Sequence, residues 1–412
     1  MKTVNNKIFK KGKVIVLIAI SMFVQACIEP FDIEKTEFTS AVVIEGTLTD
    51  QNMKQRILIS RTFPLDTVVS AGISKATIVI NDSNGISYEF METSGGEYVS
   101  TTAFGAMSGV GYTLSVKLPD GSSYISEEVI LPTKSKINEL YVARDFNNGE
   151  LAEGMFIYVD SFDPTGQSKF YRYEYEETYK IIAPFWSPED AYVVSPLPNP
   201  QVDFRARTNE ERVCYKTVES NKIIQENTTE YSEDRVTKFP VRFINKENFI
   251  LSHRYSILVK QFVQSPEAFT YFETLESIAA SGSLFSQIQT GFIEGNIKSL
   301  TNKDEKVIGF FQASTVSEKR VFFDYADYFP GERLPKYPTD CSLVSPPLIT
   351  EGMSSPLIDA INQETLKYVS EYDQQTNPNN YSESGPFLMI QTPCGDCTVL
   401  GSNIVPDFWV ED

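Results

Sequence analysis

Five cysteines and one histidine are the side chains of this 412-residue chain best suited to covalent or metal chemistry: Cys27, Cys214, Cys341, Cys394, Cys397 and His253. Two of the cysteines form the motif Pro393-Cys394-Gly395-Asp396-Cys397. A redox CxxC is expected at a strand-to-helix junction, and the TVLGSN that follows carries no helix signal. Haem attachment needs histidine directly after the motif, where this chain has Thr398. A zinc site needs a second CxxC or several histidines. We therefore expect structural disulfides among Cys214, Cys341, Cys394 and Cys397. Four cysteines allow three connectivities, and the sequence does not choose among them. Carboxylates offer another chemistry, since glycosidases work with a pair of them. Glu174, Glu176 and Glu177 cluster in SKFYRYEYEETYKI, but such a cluster is usually a solvated face. There is no G-x-S-x-G elbow, HExxH or P-loop. His253 lies beside an apolar strand in NFILSHRYSILV, the setting of a hydrogen-bonded structural histidine. No catalytic residue, metal or cofactor is expected, and the chain reads as a non-enzyme.

The fifth cysteine has a different setting. Lys2, Lys7, Lys10, Lys11 and Lys13 precede a nearly apolar run from Val14 to Val24. A basic segment followed by an apolar run too short to cross a bilayer is the pattern of a signal peptide. The run ends in Val24-Gln25-Ala26-Cys27, which resembles the bacterial lipobox. That resemblance implies cleavage after Ala26, diacylglycerol on the Cys27 thiol, and a lipid-anchored mature chain. The other reading is a secreted chain cut at Ala26 with Cys27 left to pair elsewhere. Residues 27–39 are polar and acidic, and read as a tether.

The net charge is −19, and removing residues 1–26 takes away five lysines and no acid, leaving −24. So acidic a surface argues against nucleic acid and anionic lipid as partners.

The elements that must position these groups are mostly strands. From Ala41 the polarity alternates with period two through AVVIEGTLTD, QRILISRTF, ATIVINDSNG, GYTLSVKLPDG and SSYISEEVIL. Asn84-Gly85 and Asp120-Gly121 supply hairpin turns. Residues 40–132 thus predict a β-sandwich that resembles immunoglobulin-like or transthyretin-like domains. Residues 133–412 predict a larger β-rich α+β domain. In it Phe170, Arg172, Glu174 and Glu176 share one strand face, and Tyr171, Tyr173, Tyr175 and Glu177 the other. Pro184, Pro188, Pro196, Pro198 and Pro200 rule out a central strand and mark a surface insertion. It carries Phe185, Trp186 and Tyr192 as candidate ligand-binding aromatics. Ser265-Pro266-Glu267 opens an amphipathic, core-facing helix over 266–281, and a second helix is expected over 355–370.

Several segments together resemble a family of Bacteroidota lipoproteins known as a domain of unknown function. They are VVIEGTLTD with RILISR, KATIVINDSNG, GEYVS, RYSILVKQFVQSPEAFTYFETLES, GNIKS, VIGFFQASTVSEKRVFF and the terminal CGDCTVLGSNIVPDFW. The resemblance spans nearly the whole mature chain. It implies an accessory role at a SusC-like TonB-dependent transporter, beside which such proteins are commonly encoded, and carries over no catalytic residue. Asp66-Thr67-Val68 resembles the O-glycosylation site of exported Bacteroidota proteins and marks Thr67 as a candidate.

The functional expectation is an outer-membrane lipoprotein, lipid-anchored and facing the cell surface, with the periplasmic face as the alternative. It would bind an oligosaccharide, a peptide or another small ligand for a transporter barrel. The alternatives are a structural or adhesive surface protein and, behind it, a glycan- or peptide-acting hydrolase.

Overall fold

Alternation of polar and apolar residues is realised as 23 strands in a computed structural model that describes residues 40–63, 71–280, 293–372 and 385–411. Cys27, Thr67, the leader and the tether lie outside the described residues. The first strands are β1 (Val42–Thr49), β2 (Arg56–Arg61), β3 (Ala71–Gly72), β4 (Thr77–Asp82), β5 (Ser87–Ser94), β6 (Glu97–Ser100), β7 (Gly111–Lys117), β8 (Ser123–Ser126) and β9 (Val129–Ile130). After them come β10 (Ile137–Asn147), β11 (Ala152–Phe162), β12 (Phe170–Ile182), β13 (Glu189–Ser195), β14 (Gln201–Ala206), β15 (Val213–Glu219), β16 (Ile224–Asn227), β17 (Arg235–Asn245) and β18 (Tyr255–Val263). Helix α1 (Pro266–Ala280) is followed by β19 (Ile297–Ser299), β20 (Val307–Ile308), β21 (Phe311–Phe323) and the single turn α2 (Tyr325–Tyr328). The chain closes with α3 (Pro356–Asn362), β22 (Leu366–Glu371), β23 (Phe387–Gln391) and α4 (Thr392–Gly395). The fold is mostly β, as expected.

Among the described residues one connected sheet of 16 strands has the path β15-β12-β18-β21-β1-β2-β6-β5-β4-β7-β8-β19, with β16, β20, β3 and β9 paired beside it to β12, β1, β2 and β7. Strand β5 serves two ladders, its residues 87–89 pairing with β4 and its later residues with β6. The inward residues of these strands, Ile44, Leu48, Ile57, Ile80, Tyr98, Tyr112, Leu114 and Tyr124 among them, form one core. The boundary expected near Pro132 is crossed by strand pairing: β19 pairs with β8, and β20 and the start of β21 pair in parallel with β1. Two close approaches hold this junction. Asn296 pairs with both the amide and the carbonyl of Phe311, at 2.9 and 2.7 Å. At Gly309, where φ is +126°, an added Cβ would lie 1.8 Å from the Ile44 carbonyl oxygen, so only glycine fits.

A second core forms where β12, β18 and β21 meet the three-stranded sheet β10-β11-β17. The expected two faces of β12 are observed. Tyr171 and Tyr173 are fully buried in this core, and Arg172, Glu174 and Glu176 lie on the opposite face. Glu177 departs from the expectation of a solvated acid. It is buried, accepts two bonds from the Arg242 guanidinium at 3.1 Å, and accepts the Tyr255 hydroxyl at 2.5 Å. A buried carboxylate persists only with such partners.

Helix α1 matches the expected span, and the Ser265 hydroxyl accepts from the Ala268 amide at 3.2 Å. The helix expected over 355–370 is corrected. The structure has only the seven-residue α3 there, then a turn with Glu364 at φ +53°, then β22 paired with β23. Polar residues in this segment fit either period, and Leu366, Tyr368 and Val369 gain more by packing as a strand. The proline-rich stretch is a hairpin, β13–β14, with Pro196, Pro198 and Pro200 in its connection. Its Ala191 packs with Leu357, Tyr368 and Met389 in a small third core.

The disulfides pair Cys214 with Cys397 and Cys341 with Cys394. The two cysteines of the CxxC motif therefore reach separate partners and clasp the C-terminal segment to the body. The Cys341–Cys394 bond spans 53 residues, and closing a loop of that length stabilises a fold by about 2–4 kcal/mol. The double variant Cys341→Ser/Cys394→Ser is expected to lose about 3 kcal/mol in urea unfolding. Acid stability tests a different device. Burial alone would raise the Asp163 carboxyl. Bonds from the Thr165 hydroxyl and amide, the Ser168 hydroxyl and the Gln167 amide outweigh it and hold the group at about 2, below its ordinary 3.8. This stabilisation is complete above pH 4 and is lost as pH falls toward 2. Asp163→Asn is expected to cost about 1–2 kcal/mol at pH 7 and progressively less over that acid window, read from urea midpoints across pH.

Candidate functional site

The second face of β12 continues across β18 and β21 onto β1, and α1 overhangs part of it. A cleft of about 420 Å³ opens there, lined by Glu45, Thr47 and Thr49 of β1, Arg172 and Glu174 of β12, Lys260 and Phe262 of β18, and Tyr271 and Phe272 of α1. Register explains the grouping. Arg172 lies opposite Phe262, which lies opposite Val316, and the next row aligns Glu174, Lys260 and Glu318.

Arg172 is the centre of the cleft. Its guanidinium carbon sits 4.9 Å from the Phe262 ring centroid and 4.8 Å from that of Phe272. The cation thus lies over two aromatic rings, and it is paired with Glu174 at 2.8 Å. Its Nε is buried without an acceptor among the described residues. Burial pulls Arg172 down from the usual guanidinium value, and Glu174 and Glu45 oppose the shift. Glu45 keeps one side open to water, yet the cleft walls crowd its carboxyl. Burial pushes that carboxyl above the usual range, and Arg172 partly offsets the rise. Burial holds the Tyr271 phenol protonated, at about 12. The Lys260 ammonium makes no ion pair or hydrogen bond with a described residue.

The aromatics singled out in the sequence are placed elsewhere. The Phe185 amide donates to the Cys394 carbonyl at 3.0 Å. Trp186 packs against the second core, with its indole N–H unpartnered among the described residues. Tyr192 lies under the Arg205 guanidinium in a different cleft, which neither Phe185 nor Trp186 lines. Sequence reading missed the Arg172 cleft, although its residues stood in view. FYRYEYEE showed that Arg172 shares a face with two acids, and the helix showed Tyr271 and Phe272 on one stripe. What it lacked was the registration of β12 against β18 and the landing point of α1. The expectation for the helix is a core-facing stripe. Ala268 and Tyr271 do pack with Phe310, and Phe272 both borders that cluster and covers Arg172.

His253 lies in another depression, with Lys180, Asp324 and Glu411. Burial and then the charge of Lys180 lower its affinity for a proton. The Ser252 hydroxyl donates to the Pro335 carbonyl and Asp324 pairs with Arg254, so these neighbours are committed elsewhere. Among the described residues no three histidine, cysteine or acidic side chains are grouped to hold a metal ion.

The strain in the cleft can be measured through Glu45. A carboxyl raised by burial destabilises the fold once it ionises, so the wild type gains stability as pH falls through its folded value. Glu45→Gln is expected to raise unfolding free energy at pH 7 slightly, by roughly a few tenths of a kcal/mol once solvent screening of so exposed a group is allowed for. The advantage should vanish near pH 4, as read from denaturant midpoints at the two pH values.

Comparison with curated proteins finds no match. The family model described as "Domain of unknown function (DUF4249)" matches residues 28–320. That span contains β1, β12, β18 and α1, and so every lining residue of the cleft, but stops short of the CGDC segment that the resemblance includes. With most of its length matched, the chain belongs to the DUF4249 family.

Proposed function

We propose that this protein is an outer-membrane lipoprotein of the Bacteroidota type that serves as a non-catalytic binding or accessory component of a SusC-like TonB-dependent transporter. The observation that carries the reading is Val24-Gln25-Ala26-Cys27 at the end of a basic and then apolar leader, because it supplies both export and an anchor. Two disulfides in one chain fit an oxidising compartment outside the cytosol. Membership of the DUF4249 family supports the resemblance on which the transporter association rests. A binding role needs a concave, partly apolar site with a few convergent polar groups, and the Arg172 cleft has that make-up.

The test is extraction of tagged protein from its own cells in mild detergent. The wild type is expected to carry acyl mass on the Cys27 peptide and to retain a TonB-dependent barrel identified by mass spectrometry. Cys27→Ala is expected to lose the acyl mass and leave the membrane fraction. An acylated chain with no barrel would favour a structural or adhesive role at the same surface, and an unacylated wild type would remove the anchor.

A further inference from the structure

We propose that the cleft under α1 is a binding site for an organic carboxylate with an apolar body, held by Lys260 and the Arg172 guanidinium against the Tyr271–Phe310 wall. The proposal rests on reading the protein as a binding component, though not on its association with a transporter.

The commitments of the charged groups point to the ligand's charge. Arg56 is paired with Glu97 at 2.8 Å, and Glu174 with Arg172 at 2.8 Å. Glu318 lies opposite Lys260 on β21 but neither lines the cleft nor pairs with Lys260 within 4 Å. The unspent groups are therefore the Lys260 ammonium, the Arg172 Nε and the carboxyl of Glu45. Glu45 makes no ion pair with either cation, and burial raises its affinity for a proton. One uncommitted cation matches a single negative charge. A phosphate dianion would leave excess charge beside Glu174 and Glu45, and a cationic ligand would meet Lys260.

The walls point to the ligand's body. Sugars bind aromatic sites by stacking on an open ring face, and here the Phe262 and Phe272 faces are already occupied by Arg172. What remains is the side of Tyr271 and Phe310, with Leu58 and Met53, a surface for apolar contact rather than sugar stacking. The volume of about 420 Å³ lies within the range for small ligands. A free organic acid and the C-terminus of a short peptide share this chemistry.

The test uses the full chain in detergent, with calorimetry or ligand-observed NMR against 3-phenylpropionate, 3-phenylpropanamide, 3-phenylpropylamine, and Gly-Gly-Phe as free acid and as amide. The acids are expected to bind at least about tenfold more tightly than the matching amides, the effect of one good charged contact. Gly-Gly-Phe binding more tightly than 3-phenylpropionate would assign the site to peptides, and the reverse order to free acids. Lys260→Met and Phe272→Ala should each weaken the acids about tenfold with an unchanged circular dichroism spectrum, whereas Lys216→Met on β15 should not. Equal binding of acid and amide, preference for the amine, no binding of either acid, or full affinity in Lys260→Met would each overturn the proposal. A co-purifying barrel with a cleft that ignores carboxylates would defeat the ligand class alone.

Discussion

Strand β21 is the member on which the rest of the structure depends. Its residues 311–314 pair in parallel with β1, and residues 315–323 pair antiparallel with β18. One 13-residue strand thus lies in two ladders that otherwise share no strand on the path between them. The changeover leaves backbone groups that need partners. Asp50 supplies one, accepting the Val316 amide at 2.8 Å while it pairs with Lys134 at 2.6 Å. Buried glutamines continue the junction sideways. Gln225 donates to Gln264, Gln264 to Gln312, and Gln312 to the Thr47 hydroxyl, at 2.9, 3.0 and 3.1 Å. Gln264 and Gln312 each accept from one neighbour and donate to the next, which fixes the register, while the Gln225 oxygen at the outer end has no partner among the described residues.

That junction determines where charge can sit. One face of β12-β18-β21 is sealed by the tyrosine-rich second core, and the other must carry what the alternation leaves over. Arginines there are sheltered by aromatic rings at both ends. Phe408, from the C-terminal tail, lies 3.5 Å from Arg320, and Trp409 meets Phe322 edge-on at 5.8 Å. Phe272, from α1, covers Arg172. Each ring is worth about 0.5–2 kcal/mol to the cation beneath it, and Glu176 and Glu174 complete the two pairs. The row between them, Glu174–Lys260–Glu318, has no such cover.

Much of this was legible as pattern and little of it as placement. Period two in the first half announced strands correctly, and Ser265-Pro266-Glu267 marked the start of α1, because both signals are local. The pairing of β1 with β21 joins Gly46 to Phe311, and nothing in either segment names the other. Segment 355–370 failed for a related reason: a short helix followed by a strand has the same scattered apolar positions as one longer helix, and only the presence of β23 decides between them. The acids of β12 illustrate the limit for sites. Alternation assigned Glu177 to the tyrosine face, where Arg242 and Tyr255 stand ready to neutralise it. Those partners are 65 and 78 residues away in the chain, so its burial could not be read from the cluster itself.

The tail closes the opposite end of the same face by covalent means. Cys397 is bonded to Cys214 of β15, an outer strand of the sheet, and the Tyr215 amide and carbonyl pair with Ser402 at 2.8 Å. From that fixed point the chain reaches Trp409, whose ring meets Tyr215 at 4.9 Å, and Glu411, which bonds Lys180 at 3.0 Å. Residues beyond 320 lie outside the matched family span, which ends within β21. A segment with little core of its own holds a defined path over a charged face only if its entropy is reduced beforehand. The disulfide does this, and the aromatic contacts then need only orient a chain already held near its place. Helix α1 covers Arg172 without any such bond, from a segment continuous with β18. The cleft side of the face is therefore held without a covalent tie, by packing and by the bond from the Gln225 amide to the Phe269 carbonyl at 3.4 Å.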